Sequence, residues 1–207
     1  MMSRQMALGL EFRPALGADD FLVGASNRDA VAWLDAWPNW PERGLAIFGP
    51  AASGKSHLVE VWRQSSGARV VQAAAIAPES VATLAVTLAD GSLAIEDMGQ
   101  GVDERAVLHL LNLVRERGGS CLLTAAEAPS RWQIGLADLR SRLLALPAVA
   151  VDRPDDALLE GVLRKLFSDR RLEPGPGVID YLLSHMERSL AAAKAVVGRL
   201  DAAGLAS

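Results

Sequence analysis

The sequence predicts an α/β fold, a parallel sheet flanked by helices, followed by a small all-helical subdomain. Three observations carry that expectation: short apolar runs alternate with stretches of helical periodicity, a glycine-rich octapeptide follows the first run directly, and no strand-like run occurs after residue 151. Alternation suits a sheet covered on both faces, because each parallel connection has to cross back over one of them. The 207 residues are 50% hydrophobic and 22% charged, so they can build a real core but not two full-sized domains.

Residues 1–13 mix polar and apolar side chains and end at Pro14, which reads as an N-terminal tail outside the core. Over residues 27–37, Val31, Ala32 and Leu34 fall at helical spacing, and Trp37-Pro38-Asn39-Trp40-Pro41 ends that helix, since proline forces its predecessor into an extended conformation. Residues 45–48 (Leu-Ala-Ile-Phe) lie between glycines and read as a strand buried on both faces. A helix is expected at 55–64, a strand at 69–72, a helix at 78–88 and a strand at 92–95. The next helix, 104–117, is stopped by Gly118-Gly119, and a strand at 120–124 follows. Residues 148–151 supply the last strand. Helices are then expected at 155–170, 177–186 and 189–203, broken by Glu173-Pro174-Gly175-Pro176-Gly177. The α/β unit therefore occupies 14–152 and the helical lid 153–207. No internal repeat or low-complexity segment is visible.

Composition excludes several functions. Lys and Arg number 21 against 25 Asp and Glu, a net charge of −4, which argues against a dedicated nucleic-acid surface and against direct sequence-specific DNA binding. The one cysteine, Cys121, lies in an apolar run and reads as a core residue; no intrachain disulfide can form. No stretch resembles a signal peptide or is long enough to cross a bilayer, so the expected address is cytoplasmic, without membrane contact. His57, His109 and His185 have no metal-ligand spacing, and the five tryptophans, with no interleaved basic residues, read as packing residues.

Chemistry is concentrated in Gly49-Pro50-Ala51-Ala52-Ser53-Gly54-Lys55-Ser56, which satisfies the Walker A pattern between an expected strand and an expected helix. Glycines let the backbone curl so that successive N–H groups converge on phosphate oxygens, and the helix N-terminus adds partial positive charge. Lys55 would neutralise the outer phosphates and the Ser56 hydroxyl would ligate Mg²⁺. Leu93-Ala94-Ile95-Glu96-Asp97 is a Walker B sequence with two readings. Either Glu96 takes the metal position and Asp97 positions water, or Asp97 alone contacts the metal.

Phe21-Leu22-Val23-Gly24-Ala25-Ser26-Asn27-Arg28 resembles the box that opens the AAA+ domain of the replication initiator DnaA. The P-loop followed by His57-Leu58 continues the likeness, and Leu139-Arg140-Ser141-Arg142-Leu143 resembles its box VII. In order and spacing, together with the tryptophan-rich segment 38–41, these boxes are similar to the Hda family, the shorter DnaA homologues of regulatory inactivation. The resemblance spans about residues 21–201. It implies an AAA+ P-loop NTPase fold holding ADP or ATP with Mg²⁺, with Val23 and Gly24 beside the adenine and His57 completing the nucleotide-binding set. It also implies that Arg142, with Arg140 as runner-up, is an arginine finger acting in trans.

The same resemblance implies partners: the AAA+ domain of DnaA, and the β sliding clamp of the DNA polymerase. It leaves room for a homodimer. The family's clamp motif, Gln-Leu-x-Leu-Pro-Leu, has its counterpart in Gln5-Met6-Ala7-Leu8-Gly9-Leu10; Gln5 would hydrogen-bond the clamp while Met6, Leu8 and Leu10 fill apolar pockets. The sequence ends at Ser207, which implies a protein lacking the helix-turn-helix with which DnaA reads DNA. Three supports of hydrolysis depart from the family. The Walker B acids are altered, the acid after Thr124 is replaced in Thr124-Ala125-Ala126, and alanine stands at the sensor 2 position within 188–194, where Arg188 and Lys194 are the nearest cations. The expectation is a nucleotide-holding adaptor with weak hydrolysis of its own that promotes hydrolysis of DnaA-bound ATP. The alternatives are an autonomous P-loop ATPase or small-molecule kinase, and a DnaA-like helicase loader or membrane-associated replication partner.

Overall fold

The computed structural model describes residues 11–13, 21–88, 91–99 and 101–204. Two three-residue strands, β1 (Glu11–Arg13) and β2 (Phe21–Val23), pair antiparallel with Glu11 opposite Val23. Residues 11–13, expected in the tail, are therefore paired. Strands this short carry no readable two-residue period, which hides them from sequence patterning.

The main sheet is parallel, as expected, with strands β3 (Gly44–Phe48), β4 (Arg69–Gln72), β5 (Leu93–Met98), β6 (Cys121–Ala125) and β7 (Ala148–Ala150) in the order β4-β5-β6-β3-β7. Its helices are α1 (Arg28–Asp35), α2 (Lys55–Ser66), α3 (Pro78–Thr87), α4 (Glu104–Glu116) and α5 (Ala137–Ala145). Helices α6 (Asp156–Asp169), α7 (Val178–His185) and α8 (Leu190–Gly204) follow, with no further strand among the described residues. The order places β3 between β6 and β7, so the loop leaving β3 emerges mid-sheet, where a parallel α/β sheet opens its crevice.

Strand alternation divides the core. Ile95 and Leu123 face one side with Val107, Leu110, Leu139 and Leu143, while their neighbours Ala94 and Leu122 face the other with Leu45, Ile47, Leu58 and Trp62. The tryptophans pack, as the absence of interleaved basic residues suggested. Trp62 stacks on Trp40 with ring centroids 5.3 Å apart and meets Trp37 edge-on at 6.4 Å, and the Trp40 indole N–H donates to the Trp33 carbonyl at 2.6 Å. Helices α6 to α8 have a separate core of Leu163, Phe167, Ile179, Ala193 and Val197. Cys121 is buried, and burial pushes its thiol pKa up to about 12. Trp62→Ala would open a large void between α2 and the sheet; urea denaturation is expected to register a loss of about 3–5 kcal/mol. Among the described residues, no helix is long and apolar enough to cross a membrane, and no His/Cys/Asp/Glu cluster could hold a metal by itself.

Candidate functional site

The Walker A octapeptide forms the turn between β3 and α2. Gly49 is dictated by packing: a Cβ there would lie 2.0 Å from the Val151 carbonyl oxygen, because the Val151 N–H donates to Phe48 at 2.8 Å and draws the end of β7 against the turn. Gly54 precedes α2 with φ +100°, and a Cβ on it would meet Leu190 of α8 at 3.3 Å, so the lid closes over the P-loop. Ala52 also has a positive φ, 63°, a conformation alanine rarely adopts. No acidic residue stands in the first turn of α2, so nothing there offsets the positive end of its dipole.

Lys55 Nζ donates to the carbonyls of Gly49 at 2.8 Å and Pro50 at 2.9 Å. Burial lowers its pKa, partly opposed by the carboxylates of Asp97 and then Glu96, which places both acids in the field of the lysine. Ser56 is exposed beside it and His57 is half-buried.

The two acids are treated differently by the fold. In β5, Ile95 pairs with Leu123 and Met98 with Ala125, so Glu96 and Asp97 together face Thr124 and the strand bulges. Glu96 stays in register opposite Gln72 of β4 and is buried; its Oε2 accepts from Gln72 Nε2 at 3.0 Å. Asp97 swings out to solvent with φ 57°, and its N–H donates to Thr124 Oγ1 at 3.2 Å. Two buried oxygens in this region, Ser53 Oγ and Glu96 Oε1, have no hydrogen-bond partner. Phosphate and a hydrated cation are the chemistry that would satisfy a hydroxyl and a carboxylate oxygen left this way beside a lysine, so the residues present fit a Mg²⁺–nucleotide.

A cleft of about 590 Å³ lies between this site and the lid. Leu22, Leu158, Val162, Leu166 and Leu190 supply its apolar wall, and His57, Lys165, Arg170 and Lys194 supply charge or polarity. Val23 and Gly24 are buried beside Leu22. Their loop is pinned by Asn27, whose Oδ1 accepts from the Gly24 N–H at 2.8 Å and whose Nδ2 donates to the Leu22 carbonyl at 3.1 Å. The apolar lining from α6 and α8 escaped the sequence reading, although Leu158, Val162 and Leu166 recur at four-residue spacing, which marks one helix face. The two cations near the sensor 2 position are placed differently. Arg188 is engaged by Asp156 at the start of α6, whereas Lys194 lines the cleft and has no hydrogen-bond or ion-pair partner among the described residues.

Arg142 lies elsewhere. Its Nε donates to Asp138 at 3.1 Å, one turn back on α5, and it borders a hollow of about 270 Å³ with Glu42, Arg43, Arg115, Gly119 and Cys121. Those neighbours mark the N-terminal edge of β3 and β6, while the P-loop leaves the C-terminal end of β3. A five-residue strand separates the two edges by about 16 Å. The start of α5 is fixed by Glu104, whose carboxylate accepts from the N–H groups of Gly135 at 2.9 Å and Leu136 at 2.6 Å. Arg140 is exposed on the same helix. Gln5, Met6, Leu8 and Leu10 lie outside the described residues.

No protein-family model matches the chain. It is 28% identical over 204 residues to the chromosomal replication initiator protein DnaA of Agrobacterium fabrum, covering 84% of this chain and 41% of that protein. It is 26% identical over 212 residues to DnaA of Mesorhizobium japonicum, covering 90% and 43%. The chain thus spans about two-fifths of the length of the curated relatives it matches. Among solved structures, DnaA bound to AMPPCP and single-stranded DNA superposes with a TM-score of 0.67 at 20% identity, covering 87% of this chain and 62% of that one. Domain III of Thermotoga maritima DnaA gives 0.65 at 18% identity, covering 86% and 83%. The chain is homologous to the AAA+ domain of DnaA and has its fold.

Proposed function

We propose that this protein is a DnaA-related AAA+ adaptor of the Hda type, which holds an adenine nucleotide, binds the sliding clamp through residues 5–10 and promotes hydrolysis of ATP bound to DnaA. The observation that carries the reading is the separation of Arg142 from the chain's own P-loop by the length of strand β3. A guanidinium placed there serves a phosphate on another molecule.

In the chain's own site, the P-loop N–H groups cradle the phosphates, with Lys55 exchanging its two loop carbonyls for phosphate oxygens and Ser56 ligating Mg²⁺. When bound, the cation would supply neutralisation of phosphate charge. Glu96 and Asp97 hold its water shell from the end of β5. Leu22, Val23 and Gly24 with the lid face α6–α8 exclude water from the base, and His57 borders the same cleft. Turnover is weak because Thr124 is followed by alanines and alanine stands at the sensor 2 position within 188–194, with Lys194 the neighbouring cation in the cleft lining. The bound nucleotide sets the lid, and with it the surface offered to DnaA.

Docking places Arg142 against the γ-phosphate held by DnaA, where it stabilises charge developing in the transition state. The clamp motif raises the local concentration of the adaptor on replicated DNA without adding contacts to DnaA. The test is hydrolysis of DnaA-bound ATP with DNA-loaded clamp, comparing wild type with Gln5→Ala and Leu8→Ala. Both variants are expected to lose clamp-dependent stimulation while retaining the clamp-independent part at high protein concentration. Equal stimulation by all three proteins would contradict the tether.

A further inference from the structure

We infer that Gln72 is a positioning residue for the nucleotide-bound divalent cation, acting through Glu96; the inference rests on the proposal that the P-loop holds a Mg²⁺–nucleotide. Glu96 is 9% exposed, and its carboxylate can only accept hydrogen bonds. Gln72 stands directly opposite it in the β4–β5 pair and donates its side-chain amide to Oε2 at 3.0 Å. Oε1 is left buried with no partner. One oxygen is therefore committed to the protein and the other is the acceptor available to a cation or to its coordinated water. The arrangement excludes a bidentate grip and leaves Glu96 a single, directed contact.

The chemistry of the pair explains why a glutamate works at this place. Glutamate has one methylene more than aspartate and one more rotor, so an unrestrained Glu96 would sample orientations in which Oε1 misses the cation. The Gln72 amide removes that freedom from the neighbouring strand. The bulge beginning after Ile95 leaves only Glu96 in register with Gln72: Asp97 has φ 57° and is anchored through its N–H to Thr124. Gln72 itself is exposed and lies on the edge strand β4, so its side chain can change with little cost to the core.

The experiment uses the full chain, a fluorescent ADP analogue and a Mg²⁺ titration, with bound Mn²⁺ followed by electron paramagnetic resonance as a second readout. Partners that orient a metal contact typically alter metal affinity by about 10–100-fold. Gln72→Ala is expected to raise the Mg²⁺ concentration for half-maximal tightening of nucleotide binding by about 10-fold, at the low end of that range. Gln72→Glu is the discriminating variant. It keeps the shape of the side chain but replaces the donor with a second acceptor facing Glu96, so a space-filling role would survive it and a positioning role would not. It is expected to lose at least as much Mg²⁺ dependence as Gln72→Ala and to broaden or weaken the Mn²⁺ signal. Binding of the ADP analogue with Mg²⁺ midpoints of both variants within about twofold of wild type, well below the expected change, would overturn this inference alone. Failure of the wild type to bind the analogue at all would overturn the nucleotide reading together with it.

Discussion

Arg142→Ala is expected to reduce stimulated hydrolysis of DnaA-bound ATP by about 10³-fold, the lower end of what an arginine supplied in trans contributes. The same variant is expected to bind its own nucleotide with unchanged affinity, because Arg142 borders a hollow at the N-terminal edge of the sheet, away from the P-loop. Its ion pair with Asp138 is partly solvent-accessible, with side chains 34% and 57% exposed, so releasing it costs the fold little. Arg142→Lys should recover only a small part of the activity. A lysine keeps the charge but not the planar fork that meets two phosphate oxygens at once. Stimulation and ADP affinity measured on one preparation separate these effects. Parallel loss of both would move Arg142 from a trans-acting role to a structural one.

Lys55→Ala is expected to weaken binding of ADP or ATP by about 100-fold, equivalent to about 2.8 kcal/mol. The variant loses the one ammonium in the cradle and frees the Gly49 and Pro50 carbonyls to which it donates. Calorimetric titration of wild type and variant with ADP and Mg²⁺ measures the difference directly. Burial lowers the lysine pKa, so its charge is fully present at low pH and is lost, as pH rises, earlier than for a solvated lysine. Nucleotide affinity should accordingly decline on the alkaline side in the wild type and show no such decline in Lys55→Ala. An affinity within about threefold of wild type, a difference of less than about 0.7 kcal/mol, would contradict the assignment of the P-loop.

How legible these features are in the sequence depends on how local they are. The P-loop is local: Gly49, Gly54, Lys55 and Ser56 are fixed by spacing within eight residues, and the flanking strand and helix are visible as a change of hydrophobic period. The parallel sheet follows from alternation. Other features depend on partners far along the chain. The pairing of Glu11–Arg13 with Phe21–Val23 involves strands of three residues whose stabilisation is mutual. The fates of Glu96 and Asp97 are set by a bulge against β6 and by Gln72, 24 residues before Glu96, neither of which local pattern reveals. That is why the sequence left both acid assignments open. The cleft is assembled from β2, α2, α6 and α8, so its lining emerges only once the lid is folded over Gly54.

On the proposed reading, the chemistry this protein serves takes place on another molecule's nucleotide. The most direct measurement loads DnaA with γ-labelled ATP, loads this protein with unlabelled ADP, and follows label release after mixing on DNA-loaded clamp. The expected result is release that depends on this protein and on Arg142, at a rate well above that of either protein alone. No acceleration of release from DnaA, together with rapid hydrolysis when the label is placed on this protein instead, would contradict it and leave an autonomous ATPase in its place.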